Sequence, residues 1–150
     1  MEITFYQSEC GDSAKISFEG SDSKTHHFFI DSGFERTFKN VIRNDVEEII
    51  KKGEKIDLWS ISHIHDDHIG GIKKYIDYIN TGELKDIVSD WVYNPPRFYD
   101  SKNGVGFSVS IAESIGQGDI LYNYLKSINK NPKKDFTSDS DLIRSEERRV

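Results

Sequence analysis

Ser62-His63-Ile64-His65-Asp66-Asp67-His68-Ile69-Gly70-Gly71 holds three of the chain's five histidines and two carboxylates, and it closes on a glycine pair. Upstream, Ile56-Asp57-Leu58-Trp59-Ser60-Ile61 has little polar alternation, the pattern of a strand covered on both faces. Downstream, Ile72, Ile76 and Ile79, with Ile69 in register, give the spacing of a short helix that follows Gly71 and stops at Gly82. The donor-rich segment therefore sits where a strand hands over to a helix.

Working outward, Glu2-Ile3-Thr4-Phe5-Tyr6-Gln7 is rich in β-branched and aromatic residues and reads as a strand. Ala14-Lys15-Ile16-Ser17-Phe18-Glu19 alternates apolar with polar and buries one face. His26-His27-Phe28-Phe29-Ile30 forms a third strand after a polar turn, and an early β-meander results. Phe38, Val41, Ile42, Val46, Ile49 and Ile50 fall three and four apart, which predicts a helix with one apolar stripe ended by Gly53. Ile87 to Tyr93 is a further strand, and Ile111, Ile115, Leu121, Leu125 and Ile128 fit a third helix before Asn131-Pro132. Strands and helices interleave, so the fold class is α/β, with sheet faces covered by helices.

Composition bounds the rest. With 35% hydrophobic and 12% aromatic residues, the chain can build a core rather than stay disordered. A net charge of −6 does not support a broad nucleic-acid surface, although a local basic groove stays compatible with it. Cys10 is the one cysteine, which excludes an intrachain disulfide and suits a reducing compartment. The first residues lack a basic and apolar leader, and no apolar run is long enough for a membrane span. A cytoplasmic protein without membrane contact is the expectation.

In His63-x-His65 the two imidazoles share a side if the backbone is extended. Asp67 and His68 are neighbours and must aim differently as the chain turns into the helix. One segment can thus present two ligand pairs to two neighbouring ions, and imidazole and carboxylate are good zinc ligands. His63-Ile64-His65-Asp66-Asp67-His68 resembles the H-x-H-x-D-H signature of the metallo-β-lactamase-fold superfamily. Asp31, in Ile30-Asp31-Ser32-Gly33, resembles that family's acidic residue at the end of an early strand. Gly11-Asp12-Ser13-Ala14-Lys15-Ile16 resembles its opening strand and turn.

The resemblance implies an αββα sandwich and a zinc-dependent hydrolase with a dinuclear site. His63 and His65 would bind one zinc, Asp67 and His68 the other, and a metal-held hydroxide would be the nucleophile. Asp67 would also orient the attacking water, so it is the candidate catalytic residue. Asp31 would stand behind the ligands and fix their geometry. The substrate would be a small molecule or a phosphodiester. The wording of the histidine segment, with Ser114 to Asp119, resembles the hydrolase domain of competence-type DNA-uptake proteins and its stand-alone relatives, which makes phosphodiester cleavage on nucleic acid or nucleotides the alternative. A further alternative is a non-catalytic metal-binding or interaction module.

No histidine follows His68, whereas the family supplies two more histidines and a bridging Asp later in its chain. The expectation is that residues 1–143 form an incomplete sandwich, its N-terminal half to two-thirds, inactive alone. Arg144-Ser145-Glu146-Glu147-Arg148-Arg149-Val150 resembles the translation of a sequencing-adapter oligonucleotide, and 144–150 is expected to be a non-native tail. Two further features stay open. His26 and His27, being adjacent on a strand, face opposite sides and read as hydrogen-bonded strand histidines. Trp91 to Tyr99 reads either as a core strand with a rigid Pro-Pro turn or as a cleft wall in which Arg97 holds a carboxylate or phosphate.

Overall fold

The computed structural model describes residues 1–8, 11–93 and 109–130. Cys10, Arg97 with the Pro-Pro turn, and the segment 131–150 lie outside the described residues. Strands β1 (Glu2–Phe5), β2 (Ala14–Glu19) and β3 (Thr25–Ile30) form the meander expected from the sequence. β1 pairs antiparallel with β2, and β2 with β3. β4 (Ile56–Ser60) and β5 (Val88–Val92) extend the sheet in parallel, in the order β1-β2-β3-β4-β5. The chain is thus an α/β protein, with a five-stranded mixed sheet and three helices among the described residues.

Helix α1 runs as Glu35–Thr37, widens into a π-helical turn at Phe38–Ile42, and continues as Arg43–Lys51. α2 is Asp66–Asn80, and α3 is Val109–Ser127, running through Gly116 and Gly118. α1 and α2 each link neighbouring parallel strands. Right-handed crossovers, the near-universal hand, put both on the same sheet face. Ring contacts agree: Phe38 of α1 and Tyr75 of α2 lie 6.4 and 5.3 Å from Trp59 of β4. Trp59 in turn stacks on Trp91 at 5.4 Å and touches Phe29 at 5.1 Å. The apolar stripe read from α1 is buried at Phe38, Ile42, Val46 and Ile49. Trp91 and Tyr93 are also buried, so that strand belongs to the core.

The opposite sheet face is different. The register sets Ile3 beside Ile16, Ile16 beside Phe28, and Phe28 beside Leu58. Phe5 and Ile30 flank Ala14 on that same face, and they are 81% and 39% exposed. A sheet with one face packed and an apolar second face has room for another layer.

α2 begins earlier than the sequence predicts. Propensity places two consecutive glycines outside a helix. Here Gly70 and Gly71 lie inside α2, because the helix leans on the loop after β3. A Cβ on Gly71 would meet the Ser32 main-chain oxygen at 2.5 Å. The Gly71 amide donates to the Gly33 carbonyl at 2.9 Å, and the Ser32 amide donates to the His68 carbonyl at 2.7 Å. Close approach outweighs propensity, so Asp67 and His68 sit on the first helical turn rather than in a loop. No helix among the described residues is long and apolar enough to cross a membrane.

Candidate metal centre

The site forms where β3 and β4 end. Past β3, the Asp31 amide donates to the Ser60 carbonyl at 2.8 Å; past β4, the Ile61 amide donates to the Val92 carbonyl at 2.8 Å. The parallel ladder therefore carries Asp31 and Ser62 to the same edge of the sheet. Crevices at the carboxyl ends of parallel strands are the usual ligand sites of open α/β sheets.

Asp31 is the hub. It is 2% exposed and has a φ of +53°, a left-handed conformation that Asp tolerates better than most residues. Its Oδ1 accepts the Ser62 amide at 2.7 Å, and its Oδ2 accepts the Ser62 hydroxyl at 2.8 Å. The same Oδ2 accepts Nδ1–H of His68 at 2.8 Å. A carboxylate only accepts, so this bond assigns the His68 proton to Nδ1 and leaves the Nε2 lone pair free. Carboxylate–histidine pairs of this kind orient metal-ligating imidazoles and raise their basicity. Ser62, its hydroxyl proton engaged by Asp31, is left to accept Nδ1–H of His63 at 3.0 Å. That arrangement also leaves Nε2 of His63 free.

His63, Asp67 and His68 converge, with one ligand atom of each within 4.8 Å of the other two. His68 Nε2 and Asp67 Oδ2 are 3.5 Å apart, and the rings of His63 and His68 are 3.7 Å apart between centroids. His65 caps the start of α2 in an extended conformation, is exposed, and lies 4.8 Å from His63 ring to ring. It stands beside the trio rather than in it. The sequence reading paired His63 with His65 and Asp67 with His68; the described geometry groups donors across those pairs. The helix causes this: its first turn swings Asp67 and His68 back over the strand end that carries His63.

Electrostatics favour a neutral ligand at His63. Burial, then the neighbouring His68 and His65, push its pKa below the ordinary 6.5. A neutral imidazole is the form that binds a metal. Two imidazoles and a carboxylate match the donor set that zinc takes, with room for further donors.

His26 and His27 take no part in this site. They sit at the other end of β3, where His26 lies between Asp22 and Asp57, 3.1 Å from each. His27 is buried between Ser17 at 2.9 Å and Glu54 at 2.8 Å. Both are hydrogen-bonded strand histidines, as their adjacency suggested. Ser62 and Gly11 are the residues that sequence reasoning gave no separate role. Adjacency to His63 was the available signal for Ser62, and the opening turn for Gly11. Compared with known proteins, the chain matches no family model and no curated relative, so the reading of this site rests on its own geometry.

Proposed function

We propose that this chain carries the metal-binding segment of a zinc-dependent hydrolase of the metallo-β-lactamase type. The observation behind the reading is the convergence of His63, Asp67 and His68 within 4.8 Å, with His68 held from behind by Asp31. In this reading His63 and His68 bind through Nε2 and Asp67 through a carboxylate oxygen, with His65, 4.8 Å from His63 ring to ring, as a further donor. A bound divalent ion supplies Lewis acidity and brings the pKa of a water towards neutrality. Asp31 and Ser62 fix the tautomers and ring planes of the two histidines. The carboxylate of Asp67, at the rim of the trio, is placed to accept a proton from a reacting water. The proposed architecture is the αββα sandwich, and the apolar face of Ile3, Phe5, Phe28 and Ile30 supports it as the surface on which a second sheet packs.

The donor set supports a second reading, a binding module without turnover, because three convergent donors leave one coordination sphere short of four. One experiment separates the two. The chain is stripped with chelator, reloaded with zinc, and assayed for metal content and for hydrolysis of bis-p-nitrophenyl phosphate and nitrocefin. The hydrolase reading, taken for this chain and against the expectation above that residues 1–143 are inactive alone, expects about one or more zinc per chain and turnover that Asp67→Asn abolishes. Zinc without turnover favours the binding module. A chain that retains no zinc contradicts both.

A further inference from the structure

We propose that Gly11, in the connection between β1 and β2, is a positioning residue for the metal centre: its bare backbone seats the loop against Asp67 and holds that carboxylate towards His63 and His68. The inference rests on the metal reading above.

A Cβ built on Gly11 would lie 2.1 Å from the main-chain oxygen of Asp67 and 2.8 Å from its Cβ. Real Cβ contacts essentially never fall under 3.0 Å, so any side chain here must displace Asp67 or the loop. Neither yields at no cost. On the loop side, the Ser8 hydroxyl donates to the Gly11 carbonyl at 2.5 Å. The Tyr6 amide donates to the Ser13 carbonyl at 3.0 Å, closing the neck of the connection. Buried Ser13 reaches the Asp31 carbonyl with its hydroxyl at 3.4 Å. On the other side, Asp67 belongs to the first turn of α2, which Gly71 and Ser32 press onto the loop after β3. The β1–β2 connection thus touches the main chain of both Asp67 and Asp31, whose carboxylates lie beside the histidines and behind them.

Gly11 also has a φ of +93°, so backbone strain must be separated from the contact. Gly53 and Gly82 provide the comparison: their φ values are +70° and +77°, and a Cβ on either meets nothing within 4 Å. Alanine at those sites brings strain without collision.

The test measures zinc affinity by chelator competition on the full chain, with the urea midpoint of the metal-free protein as a second readout. Gly11→Ala is expected to weaken zinc binding about tenfold or more, as disturbed positioning of ligands does. Gly53→Ala and Gly82→Ala are expected to lower the urea midpoint yet leave affinity unchanged. Ser8→Ala, which releases the Gly11 carbonyl and inserts nothing, covers the case in which Gly11→Ala does not fold, and is expected to weaken binding by a smaller factor. Wild-type affinity in folded Gly11→Ala overturns the proposal. So does unchanged affinity in Ser8→Ala when Gly11→Ala does not fold, or a loss in Gly53→Ala equal to that in Gly11→Ala. A wild-type chain that binds no zinc overturns the metal reading and this one with it.

Discussion

Three donors reach the carboxylate of Asp31: the amide and hydroxyl of Ser62 and Nδ1 of His68, all between 2.7 and 2.8 Å. Replacing Asp31 with Ala would remove that acceptor from His68, which is buried, and from Ser62, which is exposed and can turn to water. Each unsatisfied buried group costs about 1–3 kcal/mol, part of which relaxation recovers. Asp31→Ala is therefore expected to lose about 1–3 kcal/mol in urea denaturation, and zinc affinity with it by about 10–100-fold. Asp31→Asn keeps the volume but sets an amide against a donor, and is expected to fall between the two. At this scale the sequence was informative about chemistry and silent about partners. His63, Asp67 and His68 announce themselves by residue type and spacing. That His68 turns its Nδ1 to Asp31, 37 positions away, follows only once β3 and β4 lie side by side.

Elements explain why the donors regroup. α1 and the strands follow their apolar periods, and β2 and β3 fall within a residue of the segments that alternation picks out. α2 departs because its start is decided by tertiary approach rather than by propensity. Gly71→Ala makes that physical. Helix propensity alone would gain about 1 kcal/mol, whereas a Cβ 2.5 Å from the Ser32 carbonyl oxygen overpacks the contact. The net expectation is a loss of about 1–3 kcal/mol in urea denaturation; a more stable Gly71→Ala would contradict the close approach.

His26 ties two other elements together, joining the β2–β3 turn at Asp22 to β4 at Asp57. Its hydrogen bonds to Asp22 and then Asp57 raise its pKa above the ordinary 6.5, and the bond to His26 lowers that of Asp22 below 3.8. A raised histidine stabilises fully below its unfolded value and loses the contribution as pH rises through its folded value. A depressed carboxylate stabilises above its unfolded value and loses it as pH falls through its folded one. The link is therefore strongest between about pH 4 and pH 6.5. The difference in urea midpoint between the wild type and His26→Gln is expected to shrink as pH goes from 6 to 9. A difference independent of pH would count against the charged link.

For the whole molecule, the arrangement is one-sided. Helices and the Trp59–Trp91 stack occupy one sheet face, and an apolar row with Phe5 and Ile30 exposed occupies the other. The apolar residues that alternation picks out in β2, Ile16 and Phe18, lie on the face away from the helices with Ile3 and Phe28, and no residue of β2 is buried. Only the register aligns this row across strands. The candidate metal centre lies at the sheet's carboxyl edge, where the packed face, the β1–β2 connection and α2 meet. The most direct test of that centre is a zinc titration of the full chain, followed through the imidazole nitrogens by long-range proton–nitrogen NMR. The Nε2 resonances of His63 and His68 are expected to shift together with the first equivalent, with Nδ1 of His68 protonated throughout, while His26 and His27 stay in place. Shifts confined to His26 or His27, or no histidine response to zinc at all, would contradict the metal reading.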